Sequence, residues 1–166
     1  MELTLDAQEV RVLGCLVEKQ LATPEYYPLS VNALTAACNQ KTNRDPVVDY
    51  SEDDVRETLD RTREKGLTVK IYGPAVRVPK HRHTLDEALG LPRPQLAVLA
   101  VLMLRGPQTV GEIRARVERM HEFGELGEVE SVLQALAERD VALVARLSRQ
   151  AGHREDRYAH LLLGNG

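Results

Sequence analysis

The chain has 166 residues, of which 43% are apolar and 28% charged, so it can bury a core either as one ordinary domain or as two small ones. Its formal net charge of −3 excludes the overall basicity of proteins that bind mainly through phosphate contacts, so any nucleic-acid surface must be local. We recognise no signal peptide and no apolar run of roughly 18 residues, and we expect a cytoplasmic protein without membrane contact.

The cysteines and histidines do not form a recognisable metal site. Cys15 and Cys38 each lie among aliphatic residues, which is typical of reduced, buried thiols and disfavours a disulfide between them. His81 and His83 are close in sequence, but no cysteine is near them. We therefore predict that these two histidines lie on the surface of a β-hairpin, and we expect neither a metal nor another cofactor.

Three helices and a β-hairpin are predicted in the first half of the chain. The first helix starts with a capping box of Asp6 and Glu9, and the second starts at Ser30, whose hydroxyl suits an N-cap. An amphipathic helix and two alternating strands follow, over 51–65, 67–72 and 75–78, with a turn at Gly73-Pro74. This succession is that of a winged helix.

A short connection follows the first hairpin, over 84–94. Thr84 and Glu87 are predicted to cap a one-turn helix, which Gly90, Pro92 and Pro94 then end. So short a linker predicts a semi-rigid pair of domains.

The same order of elements is predicted again in the second half. Residues 9–19 align without gaps on 95–105, and both stretches read as short apolar first helices. The next helix begins with a capping box of Thr109 and Glu112. A third helix is predicted over 128–140, and a second hairpin over 143–147 and 158–163 with a polar loop over 148–157. Without gaps, Val55, Leu59, Gly66, Leu67 and Val69 align on Val129, Leu133, Asp140, Val141 and Leu143.

The predicted fold class is mainly α with small β-hairpins (α+β), arranged as two tandem winged-helix (helix-turn-helix) domains. The first domain is predicted over 1–83 and the second over 95–166. The alternative is an all-α bundle in which amphipathic helices follow one another by chance. The repeated step from a third helix into a strand favours the tandem arrangement.

Three long stretches of the sequence resemble the YceH family of bacterial proteins: GCLVEKQLATPEYYPLSVNALTAACNQKTNRDPV, LRGPQTVGEIRARVERMHEF and RLSRQAGHREDRYAHL. The resemblance extends along nearly the whole chain. It implies a tandem winged-helix fold and a bacterial cytoplasmic protein. It implies no activity, because none is established for that family.

The third helices carry the wrong charge for the usual winged-helix mode of DNA binding. In that mode the third helix enters the major groove, and the hairpin contacts the neighbouring backbone. Residues 51–65 contain six acidic and four basic residues, and residues 128–140 contain four acidic residues and one arginine. Because DNA carries a phosphate charge about every 1.7 Å along its axis, these helices are disfavoured as the contact.

Positive charge is concentrated in the two hairpins and in the segment 39–46. Residues 67–83 contain four lysines and arginines and no acid. We predict mainly phosphate contacts, with little sequence preference and a strong dependence on salt. The candidate residues for binding nucleic acid or a partner are Lys41, Asn43, Arg44, Arg77, Lys80, Arg82, Arg149, Arg154 and Arg157.

Two loops have alternative structural explanations. In the segment 39–46, Asn39 and Asn43 suit turn and C-cap hydrogen bonds, and Arg44 can pair with Asp45 or Asp49. In the loop 23–28, two adjacent tyrosines suit an exposed protein interface, but they can equally cover the edge of the core.

No catalytic motif is recognisable, so we expect a binding protein and not an enzyme. A pocket that brings His121 or His160 to a carboxylate would contradict this. The expected function is DNA association through basic hairpins, as a transcription regulator or an architectural factor. The alternative is a protein–protein adaptor on the same scaffold, and a homodimer is compatible with either.

Overall fold

A computed structural model describes residues 3–149, 151–152 and 154–164. The described chain forms seven α-helices, one 3₁₀ turn at Pro24–Tyr26 and two antiparallel β-hairpins, which agrees with the predicted α+β class. The helices are α1 (Ala7–Ala22), α2 (Val31–Cys38), α3 (Glu52–Glu64), α4 (Leu85–Leu89), α5 (Arg93–Arg105), α6 (Val110–Val117) and α7 (Leu126–Ala137). The strands are β1 (Thr68–Gly73), β2 (Val76–His83), β3 (Val144–Leu147) and β4 (Arg157–His160).

Most of the predicted helix starts are confirmed. Asp6 and Glu9 form a reciprocal capping box at α1, the Ser30 hydroxyl accepts a hydrogen bond from the backbone N–H of Ala33 at 3.1 Å, and α6 begins with the box of Thr109 and Glu112. Each of these bonds satisfies an N–H that the first helical turn would otherwise leave without a partner.

The predicted cap at Thr84 is wrong. Helix α4 forms, but the Thr84 hydroxyl donates to the carbonyl of Gly66 at 2.8 Å and makes no capping bond to the helix. Glu87 instead lies 3.5 Å from the guanidinium of Arg82. Thr84 therefore ties the end of the first hairpin to the turn that precedes β1.

The first hairpin is longer than predicted, because β2 continues to His83. Leu29 and His81 exchange two backbone hydrogen bonds of 3.1 and 2.7 Å, which hold the end of β2 against the start of α2. As a result His81 and His83 are only 4% and 2% exposed. The prediction that they lie on the hairpin surface is therefore wrong.

The internal repeat is visible in the hydrogen bonds as well as in the order of elements. Gln108 and Tyr158 exchange the same two backbone bonds as Leu29 and His81. At the ends of the two hairpins, the Nδ1 atoms of His83 and His160 each accept the backbone N–H of the residue two positions on. This architecture is consistent with a winged-helix fold.

The gapless alignment of residues 55–69 on residues 129–143 fails between the third helix and the first strand of the hairpin. The carbonyl of Leu67 accepts the N–H of Thr84, and the carbonyl of Leu143 accepts that of Leu161, each at 2.8 Å. Leu67 therefore corresponds to Leu143 and not to Val141. Residues 65–67 separate α3 from β1, whereas the longer segment 138–143 separates α7 from β3, and α7 accordingly ends at Ala137 and not at residue 140.

The hydrophobic interior is shared between the two halves. Helices α1 and α5 cross so closely that a Cβ on Gly14 would lie 3.0 Å from the side chain of Leu104. Leu104 belongs to the cluster that fills the first half, whereas Leu13 and Val17 of α1 belong to the cluster that fills the second half. Each helix thus contributes to both clusters. Among the described residues, no helix has the length and apolar character needed to cross a membrane.

Candidate nucleic-acid interface

The first hairpin, residues 68–83 and called wing 1 below, presents the most available positive charge. Lys70 and Arg77 are exposed and Lys80 is half-buried, and none of the three forms an ion pair with a described residue. The Lys70 ammonium lies 5.9 Å from the centre of the Tyr72 ring, which is itself 73% exposed. Arg82 is less available, because it pairs with the carboxylate of Glu87.

The second hairpin, residues 144–160 and called wing 2, is more nearly neutral. Arg146 forms a 2.6 Å ion pair with Asp156, and Arg149 donates to the carbonyl of Arg154. Arg154 is exposed, whereas Arg157 is half-buried in β4. Two residues of the predicted loop 148–157, Gln150 and His153, lie outside the described residues.

The surface of α3 remains acidic, as its composition predicts. Its three arginines are neutralised by carboxylates at 2.7 to 3.4 Å. Arg56 and Arg63 pair with carboxylates of α3 itself, and Arg61 pairs with Asp6 at the cap of α1. Glu57 and Glu64 are exposed and form no ion pair within the part of the chain that the structure describes. The third helix therefore adds negative charge beside wing 1.

The segment 39–46 is held by internal hydrogen bonds. The Asn39 side chain bonds both the N–H and the carbonyl of Tyr50, at 2.7 and 2.9 Å. Asn43 adopts a left-handed φ of 58°, and its Oδ1 accepts from Arg105 of α5 at 3.1 Å. Lys41 is exposed. The structural explanation of this segment thus accounts for both asparagines.

Arg44 is a structural residue and not an exposed contact. Its guanidinium is buried and donates two hydrogen bonds to the Glu18 carboxylate, at 2.7 and 3.1 Å, and one to the carbonyl of Ala37 at 3.0 Å. Its partner is therefore neither Asp45 nor Asp49. Burial by itself would raise the pKa of Glu18, but the hydrogen bonds and charge of Arg44 hold it below its ordinary value.

The two tyrosines of the loop 23–28 have different environments. Tyr26 is 72% exposed and available to a partner. The Tyr27 hydroxyl instead accepts the backbone N–H of His83 at 2.8 Å, and burial raises the pKa of Tyr27 to about 12. Tyr27 therefore covers the edge of the core, and one tyrosine supports each of the two explanations.

Among the described residues, both cysteines and two histidines, His81 and His83, are buried, whereas His121 and His160 are half-buried. The His121 ring packs edge-on against Phe123 at 4.6 Å. His160 lines a groove of about 880 Å³ that Glu138 and Asp140 also line, but its Nδ1 accepts the N–H of Leu162 and it forms no ion pair with a described carboxylate. Burial lowers the pKa of His160 to about 4. Cys15 and Cys38 are buried free thiols, as predicted, and their mutual hydrogen bond together with burial raises the pKa of Cys38. In residues 3–149, 151–152 and 154–164, no cluster of three potential metal ligands occurs.

Sequence reasoning missed a groove of about 600 Å³ between wing 1 and the helices α2 and α3. His81 and Lys70 line it on the hairpin side, and Leu59 and Arg63 line it on the helix side. A corresponding groove lies beside wing 2, where Tyr158 takes the place of His81. Only the unusual absence of acids over 67–83 could have drawn attention to this region, because the groove unites residues that are distant in sequence.

The chain is similar to bacterial proteins without an assigned activity. The family described as "Protein of unknown function, DUF480" matches residues 5–153. The UPF0502 protein of Geobacter metallireducens is 58% identical over 164 residues, which are 99% of this chain and 74% of that protein. The UPF0502 proteins of Solibacter usitatus and Koribacter versatilis are 53% and 52% identical, over 99% and 98% of this chain and 79% and 76% of their own lengths.

Proposed function

We propose, from the premise that the chain belongs to the DUF480 family of bacterial proteins of unknown function, that it is a non-catalytic protein that associates with double-stranded DNA. We further propose that it is built of two tandem winged-helix domains, over 1–83 and 95–166, joined by 84–94. The repeated order of three helices and a hairpin supports this division, as do the matching strand bridges of Leu29 and Gln108. The shared core supports the expectation that the two domains form a semi-rigid pair.

The observation that carries the DNA proposal is the positive charge of wing 1. Three of its cations form no ion pair with a described carboxylate. Lys70, Arg77 and Lys80 belong to one hairpin, whereas the arginines of α3 are all neutralised by carboxylates. A hairpin with free cations suits contacts to phosphates, which position a protein on DNA without reading its sequence. Since α3 is acidic, we propose that wing 1 approaches the backbone while α3 stays out of the major groove.

The test is binding to a random-sequence duplex, measured by fluorescence anisotropy between about 50 and 200 mM salt. Each phosphate contact contributes about −0.9 to the slope of log K against log salt. The double variant Arg77→Gln, Lys80→Gln should therefore flatten the slope by nearly 2. The matched control is Arg114→Gln, Arg119→Gln, which removes the same charge from exposed positions in and just after α6 and should leave the slope unchanged.

Two results would count against DNA association through wing 1. Absence of binding at about 50 mM salt, where phosphate contacts are strongest, removes the DNA proposal altogether. An equal loss of slope in both double variants shows that binding follows net charge and that wing 1 is not the contact.

The exposed acids of α3 favour a second candidate function, a protein–protein adaptor. Glu57 and Glu64 lie on the helix that a DNA-binding winged helix would present to DNA, and they suit a basic partner surface. The adaptor predicts a stoichiometric protein that remains bound after nuclease treatment and is lost in the variant Glu57→Lys, Glu64→Lys. Capture that vanishes with nuclease contradicts this candidate.

A further inference from the structure

The groove beside wing 1 has the composition of a ligand site. Its volume of about 600 Å³ lies within the usual range for small-molecule sites, which is about 300–1,000 Å³. Val31, Leu59, Val78 and Pro79 supply apolar side chains from both of its walls. Such a groove can bury the body of a small organic molecule while leaving one end accessible to water.

One buried polar atom at this groove has no partner. His81 is 4% exposed, and its Nδ1 forms no hydrogen bond with any described residue. A buried polar atom without a partner is energetically unfavourable, and His81 is the residue with such an atom that also lines this groove. At the corresponding position in the second groove the residue is Tyr158, which within the described part of the chain has no such unpartnered buried atom.

The field at His81 is positive. Lys70 is its cross-strand partner in wing 1, and Arg63 lies opposite on α3. Burial, together with the charges of Lys70 and Arg63, lowers the pKa of His81 to about 4 in spite of the opposing carboxylate of Asp60. Arg63 is bound to Asp60 at 2.7 Å, whereas Lys70 has no ion-pair partner among the described residues. Lys80 also lines the groove and has no ion-pair partner among the described residues, but Lys70 is the cation directly across the strand from His81. Lys70 is thus the cation best placed to hold an anionic group beside His81.

We propose that this groove binds a small amphipathic organic anion, with its charged group at Lys70, its apolar body on Leu59 and Pro79, and a hydrogen bond to His81. Any small molecule that carries one carboxylate or phosphate on an aromatic or aliphatic body meets these requirements. This inference does not depend on DNA association, because every residue it uses lies within one groove and the ligand can be studied without nucleic acid.

The test is a titration of the full isotope-labelled chain with phenyl phosphate, followed by NMR. Saturable shifts are expected at His81, Leu59 and Lys70, with a Kd of about 1 mM or tighter. Signals of Tyr158 should not move, since they report on the second groove. Inorganic phosphate and benzyl alcohol, which carry only the anionic or only the apolar part, should each bind at least about tenfold more weakly.

Lys70→Met should weaken phenyl phosphate binding at least about fivefold, because the charged group loses its partner. Arg77→Met is the matched control: it removes one cation from the same hairpin outside the groove and should leave the Kd unchanged. His81→Leu should weaken binding without lowering the midpoint of urea unfolding, because the unpartnered polar atom is removed.

Several outcomes would overturn the ligand site. They are the absence of saturable shifts, equal effects of Lys70→Met and Arg77→Met, and inorganic phosphate binding as tightly as phenyl phosphate. A His81→Leu variant that is less stable yet binds equally well would show that His81 is purely structural.

Discussion

At the residue scale, the buried charges are the decisive feature of this protein. Helix α1 buries Glu9, Arg11 and Glu18, and each has a specific partner. Lys65 lies 2.8 Å from Glu9, Arg11 donates to the carbonyl of Cys38, and Arg44 forms two bonds to Glu18. Burying a charged group is costly unless ion pairs or hydrogen bonds compensate it, so these contacts constrain where α1 can lie.

Arg44→Met is expected to destabilise the protein by roughly 3 kcal/mol. The substitution leaves the carboxylate of Glu18 buried without its principal cation, although Lys19 and Arg119 remain at 3.3 and 3.8 Å. Urea unfolding at neutral pH measures the loss. Adding Glu18→Gln should recover part of it by removing the uncompensated charge. An unchanged unfolding midpoint in Arg44→Met would show that the ion pair contributes nothing to stability.

At the element scale, the crossing of α1 and α5 determines how the two halves sit together. The approach at Gly14 leaves no room for a side chain without movement of Leu104. The start of α5 is also joined to the end of α1, since Arg93 donates to the carbonyls of Leu21 and Met120. Packing of this kind fixes the angle between two helices through a few close contacts.

Gly14→Val is expected to destabilise the protein by about 1–3 kcal/mol, because the added methyl groups overpack the helix crossing. Gly111→Val is the control, since Gly111 lies in α6 and a Cβ added there would meet no described neighbour within 4 Å. Removing a helical glycine at that open site should be neutral or slightly stabilising. Thermal unfolding followed by circular dichroism compares the two. Equal unfolding temperatures of the two variants would mean that α1 and α5 can move apart at the crossing without loss of stability.

At the scale of the whole molecule, three histidines couple stability to pH: His81 and His83, which are buried, and His160, which is half-buried. The pKa values of His81, His83 and His160 are each lowered to about 4, chiefly by burial. His83 is held neutral by two bonds: its Nδ1 accepts from Leu85, and its Nε2 therefore donates to Gln20 at 2.6 Å. In the unfolded chain these imidazoles regain a pKa of about 6.5.

Stability should therefore fall as the pH decreases from 7 to 4. In this window the unfolded chain binds protons that the folded chain does not. The contribution of these histidines to the free energy of unfolding is therefore complete above pH 7 and decreases below it. We expect a loss on the order of 1 kcal/mol or more per histidine by pH 5. Urea unfolding at pH 7.5 and 5 measures the sum, and amide exchange should accelerate in both halves together because they share a core. Equal stability at the two pH values would contradict the burial of these histidines.

The features that depend only on residues close together in the sequence were predictable from it. Short-range spacing of residues predicts the capping boxes at Asp6 and Thr109, the order of the helices and the apolar faces of α3 and α7. These features form in the same way wherever the segment lies in the fold. The acidic character of α3 and the concentration of cations in wing 1 follow from composition alone. The order of elements and the distribution of charge along the chain were therefore accessible from the sequence, whereas the burial of Arg44 was not.

The remaining features depend on which distant segments pack together. Glu18 becomes the partner of Arg44 because α1 passes beneath the segment 39–46, and His81 becomes buried because β2 pairs with Leu29. The groove at His81 unites two helices with a hairpin, and no spacing along the chain records that proximity. The sequence alone was thus enough to predict which elements form and what charge each carries. Which residues are buried and which of them pair was settled by the tertiary structure, because packing determines which polar groups lose water and must find partners in the protein.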